Sequence, residues 1–208
     1  MLTLSRLALA TTALFAAHAA AQTSSTCNPV EANVTIGSCP DNAALGTTFA
    51  QTFNSSMTAF DPRYFNITAG ESLISFGDGG VELPITKKGD SVTIRSNFYM
   101  LFGQIEIIFK AAAGKGIVST INLLSDDLDE IDWEILGGNE TNVENNYYGM
   151  GNTSQYNSKW PAIGNSNENY YNYTIDWQQD KIDWLVNGSI VRTVPYACLL
   201  YTSDAADE

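Results

Sequence analysis

The chain has 208 residues, 44% of them hydrophobic, and carries 10 lysines and arginines against 23 aspartates and glutamates. A formal charge of −13 sets it against nucleic acid and anionic membrane surfaces. There is a single histidine, His18.

The N-terminus reads "MLTLSRLALATTALFAAHAAAQ": one early cation, Arg6, an apolar run from Leu7 to Ala17, then Ala19, Ala20 and Ala21 before Gln22. That is the layout of a cleavable secretory signal, here residues 1–21. The run is too short to span a membrane. A buried N-terminal helix is the alternative. A signal directs the protein to an oxidising, extracellular compartment and takes His18 with it. A mature chain without histidine has no Ser-His-Asp triad, no Cys-His pair and no histidine-ligated zinc. Its chemistry runs on carboxylates or on nothing.

The other end, "CLLYTSDAADE" at residues 198–208, matches the in-frame translation of a transposase sequencing adapter and is set apart from the fold. On that reading the natural protein continues beyond residue 197. Without Arg6 and the tail's Asp204, Asp207 and Glu208, 9 bases and 20 acids remain, a net of −11. Residues 22–197 suit one domain with a full core.

Cys27 and Cys39 bracket Pro29 and Gly37, and in a secreted protein they are expected to form a disulfide near the mature N-terminus. Metal binding by two lone thiolates is the weaker alternative. Seven Asn-x-Ser/Thr sequons, at Asn33, Asn54, Asn66, Asn139, Asn152, Asn172 and Asn187, are candidate glycosylation sites on the surface.

After the signal, helical periodicity is nearly absent. Residues 40–70 are irregular, and "GDGGVEL" at Gly77–Leu83 reads as a loop. The strand candidates are "SVTIRSNFYM", "GQIEIIFKAA", "GIVSTINLLS", "EIDWEIL", "YYNYTIDWQQ", "KIDWLVNGSI" and "IVRTV", rich in β-branched and aromatic residues. Their spacing of about ten residues predicts an all-β sandwich. Gln178–Lys181 and Asn187-Gly188 read as turns, so 172–194 is expected to be a three-stranded meander.

The unusual stretch is "DDLDEIDWEILG" at 126–137, with six carboxylates among its first nine positions. Side chains alternate along a strand. One face therefore carries Glu130, Asp132 and Glu134, and the other Asp129, Ile131, Trp133 and Ile135. A solvated acidic face is the bland reading. A calcium loop is another, although "SDDLDE" lacks the EF-hand glycine and spacing. The functional reading rests on crowding: carboxyls on one face cannot all ionise cheaply, so one keeps a proton while another stays a nucleophile. Retaining glycoside hydrolysis needs that division, with carboxyls ~5–5.5 Å apart. Positions four apart on a strand lie about 13 Å apart along the backbone, so two long glutamates leaning together are required.

"DEIDWE" at Asp129–Glu134 resembles the Glu-x-Asp-x-Glu signature of glycoside hydrolase family 16. The blocks "GKGIVSTINLLSDDLDEIDWEILGG", "NNYYGMGNTSQYN" and "YTIDWQQDKIDWLVNGSIVRTV", with the start "CNP…CPDNAALGT", resemble the fungal Crh-type cell-wall transglycosylases over nearly all of residues 27–197. The resemblance implies a concanavalin-like β-jelly-roll sandwich, with 22–197 as a truncated catalytic domain lacking its last strands. It implies Glu130 as nucleophile, Glu134 as general acid/base and Asp132 as their auxiliary, with no metal and no cofactor. It implies a chitin donor and a β-glucan acceptor as partners. No nucleic acid or obligate protein partner is expected, and membrane attachment only through a lipid anchor lost with the C-terminus. Tyr147, Tyr148, Tyr156 and Trp160 are candidate sugar-stacking aromatics, whereas Trp133, Trp177 and Trp184 read as core. The family's later Trp-Ala-Gly-Gly block is not reached, so the 208-residue chain is expected to expose a sheet edge and to fold poorly or be inactive. Two other functions stay open: a plain β-glucanase or chitinase of the same fold, and a non-catalytic, lectin-like wall protein.

Overall fold

The structure is a computed structural model describing residues 27, 39, 40, 42, 44–154 and 156–196. The signal at 1–21, Asn33 and the tail at 198–208 lie outside the described residues. Cys27 and Cys39 form a disulfide, as their spacing suggested.

Eleven strands are described, and no α-helix. In chain order they are β1 (Phe65–Ala69), β2 (Ser75–Gly77), β3 (Gly80–Glu82), β4 (Thr93–Ser96), β5 (Gly103–Phe109), β6 (Val118–Leu124), β7 (Glu130–Leu136), β8 (Glu144–Tyr148), β9 (Tyr171–Trp177), β10 (Lys181–Val186) and β11 (Ser189–Pro195). Two antiparallel sheets make the sandwich. One has the order β11-β10-β9-β5 and the other β6-β7-β8. The ribbons β1-β4 and β2-β3 stand beside them.

The meander over 172–194 is present as β9–β10–β11, turning at Gln178–Lys181, where Gln178 N–H donates to Lys181 O (2.8 Å), and at Asn187-Gly188. Both residues of the second turn have positive φ (49° and 77°), which a tight type I′ hairpin demands. Two expectations are corrected. The loop expected at Gly77–Leu83 contains a hairpin: β2 and β3 pair Gly77 with Gly80, and Gly80 has a φ of 119°. The Asn-rich segment after β7 contains a strand, β8, that the sequence did not announce.

Between the two main sheets lie Ile121, Ile131, Trp133, Ile135, Val143, Tyr173, Ile175, Ile182, Trp184, Val186 and Val194. Trp133 of β7 and Trp184 of β10 are wholly buried; Trp177 is half-buried and packs its ring 5.1 Å from Phe102. The two buried indoles cross the core in opposite directions. Trp133 Nε1–H donates to Thr174 O on β9 (3.1 Å), and Trp184 Nε1–H donates to Asp132 O on β7 (2.9 Å). A buried indole N–H needs such a partner. A separate cluster of Phe49, Phe53, Phe60, Phe65, Phe76 and Phe98 supports the ribbons, with ring centroids 5.2–6.4 Å apart.

Replacing either indole by phenylalanine keeps most of the apolar bulk but removes the side-chain donor to a buried carbonyl and leaves part of the indole's volume unfilled. Trp133→Phe and Trp184→Phe are each expected to lower stability by about 1–3 kcal/mol in urea titrations. Midpoints indistinguishable from wild type would show that the crossed bonds contribute nothing.

Candidate active site

β7 alternates as its sequence requires. Ile131, Trp133 and Ile135 enter the core at 9%, 0% and 0% exposure, so Glu130, Asp132 and Glu134 share the outer face. Register extends that face across the sheet. Leu124, Asn122 and Thr120 of β6 lie opposite Glu130, Asp132 and Glu134 on one side, and Tyr148, Asn146 and Glu144 of β8 on the other. The β6 side is open, with Thr120, Asn122 and Leu124 exposed; the β8 side is closed, with Glu144 and Asn146 buried.

The bland reading of a solvated acidic face does not fit Asp132, which is only 3% exposed between its two glutamates. Burial, then the charges of Glu130, Glu134 and Glu144, push its carboxyl up to about 7, against a partial offset from the Asn146 N–H. Glu134 is also raised, by burial first and then by Glu144 and Glu130. The strongest push thus falls on the central aspartate, because it is the most enclosed of the three. Asn122 Nδ2 donates to Glu130 Oε1 (3.1 Å), fixing that side chain from β6.

The acidic loop before β7 is used for docking. Leu128, at a φ of 68°, turns the chain into the strand. Asp126 accepts from Asn42 Nδ2 (2.6 Å) and the Tyr99 hydroxyl (3.0 Å), and Asp129 Oδ1 accepts from Met150 N–H (2.7 Å). Asp129 lies just ahead of β7, outside the core face assigned to it by simple alternation. Among the described residues no group of three or more His, Cys, Asp or Glu is arranged to hold a metal ion.

The four aromatic candidates separate. Tyr148 stands on the carboxylate face opposite Glu130. Tyr156 is exposed, and its hydroxyl donates to Glu144 Oε1 (2.5 Å). Trp160 is half-buried, with its carbonyl accepting from Asn142 Nδ2 (3.1 Å). Tyr147 is placed on the other face, its ring packed against the core 6.5 Å from Trp184, because strand alternation sends neighbouring residues apart. Of the sequons, Asn54, Asn66, Asn152 and Asn187 are exposed, while Asn139 and Asn172 are half-buried. Asn172 Nδ2 donates to Glu106 Oε2 (3.0 Å).

Two residues absent from the sequence reading matter here. One is Glu144. The other is Arg192 of β11, whose Nη1 donates to Asn145 O (2.9 Å) and Oδ1 (2.7 Å), and whose Nη2 donates to Asn157 O (2.6 Å). Its guanidinium lies 4.9 Å from the Trp184 ring centre and 5.4 Å from that of Tyr147. Burial lowers its pKa. It ties β8 and the 156–160 segment to the meander. The sequence carried no signal for Glu144, since "VENNYY" shows no apolar–polar alternation; pairing with β7 is what sets Glu144 and Asn146 on the carboxylate face.

Comparison with known proteins agrees with this arrangement. Residues 61–200 match Glycosyl hydrolases family 16. Crh-like protein 2 of Botryotinia fuckeliana is 49% identical over 179 residues, covering 85% of this chain and 38% of the relative. Crh-like protein 5 of Aspergillus fumigatus is 42% identical over 178 residues, covering 85% and 42%. The chain therefore spans less than half the length of these relatives. A solved Crh5 transglycosylase in complex with NAG superposes with a TM-score of 0.73 at 38% identity, covering 83% of this chain and 67% of that one. The Bacillus licheniformis beta-glucanase superposes at 0.60 with 25% identity, covering 71% and 79%. These neighbours bear out the jelly-roll sandwich. The family match covers well over half of the sequence and includes β7 and β8 whole, and the chain belongs to glycosyl hydrolases family 16.

Proposed function

We propose that the protein is a retaining transglycosylase of the fungal cell wall that cuts a β-1,4-linked chitin donor and passes the released chain to a β-glucan acceptor. The observation that carries this reading is the single face of β7, where Glu130 and Glu134 flank a buried Asp132. The likeness to the solved Crh5 transglycosylase supports transfer, and the NAG in its complex supports a donor of chitin type. The signal-like N-terminal sequence and the fungal relatives support action outside the cell, at the wall.

In the first step Glu134 gives its proton to the glycosidic oxygen while the Glu130 carboxylate attacks the anomeric carbon. The C–O bond to the leaving chain breaks, and a glycosyl ester on Glu130 forms. In the second step Glu134, now a carboxylate, takes the proton of an acceptor hydroxyl. That oxygen attacks the anomeric carbon and the ester breaks, returning both glutamates to their starting forms. The energy of the cut bond is kept in the ester, so no nucleotide is consumed. Asn122 orients Glu130. A protonated Asp132 beside Glu130 serves as a hydrogen-bond donor to the nucleophile, and its raised pKa keeps that proton available in mildly acid solution. Tyr148, Tyr156 and Trp160 are the aromatics left to offer faces to sugar rings.

The test mixes the protein with chitin oligosaccharides and a fluorescent β-1,3-glucan oligosaccharide, and sizes the products. Label should move to larger products, and Glu130→Gln or Glu134→Gln should lower transfer by about 10²-fold or more. Shortened chitin with unshifted label would make the enzyme a hydrolase. No change in either substrate would leave a binding protein.

Asp132 also makes stability pH-dependent. Its folded-state pKa is raised from 3.8 to about 7, so the folded state binds the extra proton between those values. Its contribution is fully present below 3.8 and is lost as pH rises to about 7. Asp132→Asn removes this loss. Denaturation midpoints of wild type should therefore fall relative to Asp132→Asn across that window and run parallel above it. Parallel curves throughout would contradict the burial argument.

A further inference from the structure

The function above uses three carboxylates, but the face holds four. Glu144 stands on β8 directly opposite Glu134 and is 5% exposed. Side chains opposite one another on antiparallel strands have Cβ atoms about 4.5–5.5 Å apart, and like charges there are destabilising. Such a pair is stable when one member holds a proton. The structure distinguishes the two members. Glu144 Oε1 accepts the Tyr156 hydroxyl at 2.5 Å, a bond that occupies a lone pair of that oxygen. Among the described residues no side chain or backbone N–H donates to the Glu134 carboxyl.

We propose that Glu144, which stands opposite Glu134 and accepts the Tyr156 hydroxyl, is a positioning residue that keeps a proton on Glu134 and so extends the pH range over which Glu134 acts as an acid. The proposal rests on the reading of Glu134 as the acid/base. The other groups facing Glu134 do not substitute for this pair. On β7 they are Glu130 and Asp132; on β6, Thr120 and Asn122 carry no charge; on β8 they are Asn146 and Tyr148. Arg192 of β11 bonds Asn145 and Asn157 and stacks on Trp184, on the core side of β8. Among the charges acting on Glu134, Glu144 ranks ahead of Glu130, its neighbour on the same strand. The Tyr156 hydroxyl is itself pushed up, chiefly by its bond to Glu144, which keeps it a donor.

The experiment is the pH profile of kcat/KM for wild type, Glu144→Gln and Tyr156→Phe. Glutamine keeps the shape and an acceptor for the phenol while removing the charge. The alkaline limb should move to lower pH in Glu144→Gln, and by less in Tyr156→Phe. The ratio of variant to wild-type rate then falls as pH rises. A ratio flat across pH would mean a structural residue or a sugar contact and would overturn the proposal. Loss of the acid role itself is recognised separately, by Glu134→Gln retaining wild-type activity. In that case, or where activity is too low to profile, the carboxyl ¹³C titration of Glu134 decides. A lower titration midpoint in Glu144→Gln supports the pair, and an unchanged one rejects it.

Discussion

The crossed pair of indole hydrogen bonds between the two sheets is the constraint on which the candidate site depends. Trp133 reaches from β7 to the carbonyl of Thr174, and Trp184 reaches back from β10 to the carbonyl of Asp132. The second bond ends on the backbone of the middle carboxylate. A strand bearing three acids on one face has reason to shift or twist away from its neighbours, because same-face anions repel. Two buried aromatic side chains, each removing roughly 150–250 Å² from water, hold it against the meander instead. Fixing Trp133 in the core fixes Asp132 and Glu134 on the opposite face by alternation alone.

The site is therefore asymmetric in a useful way. Its β6 side is open, with Asn122 holding Glu130. Its β8 side is closed by the buried Glu144 and Asn146, and Arg192 ties β8 and Asn157 to β11 through carbonyls and aromatic faces. Asp132 and Glu134 are the β7 carboxyls that burial and neighbouring charges raise. On the proposed mechanism, environment, and not residue type, separates the two glutamates into an acid and a nucleophile.

Much of this was legible in the sequence. The period-two pattern of "EIDWEIL" placed every β7 side chain on its face, and Asn187-Gly188 fixed the last hairpin. The Cys27–Cys39 pairing followed from spacing together with the expectation of an oxidising compartment. β8 was not legible, because "ENNYY" is rich in asparagine, which is depleted from strands. Its strand conformation comes from pairing along β7 on one side and the Asn145–Lys159 bridge on the other, a tertiary effect. Missing β8 hid Glu144, and with it the closed side of the site. The β2–β3 hairpin was hidden for a different reason: "GDGG" reads as loop, and only a glycine at φ 119° lets it turn tightly enough to pair. The assignment of Tyr147 beside Tyr148 as a sugar contact had the same root, since without β8 no alternation separated them.

The claim at the centre is that Glu130 becomes covalently glycosylated. A slow, fluorinated chito-oligosaccharide donor with a good leaving group would accumulate that ester, and peptide mass mapping would locate it. The account predicts a sugar adduct on the peptide containing Glu130, abolished in Glu130→Gln. An adduct on Glu144 or Glu134, or turnover of the donor with no adduct on any peptide, would contradict it.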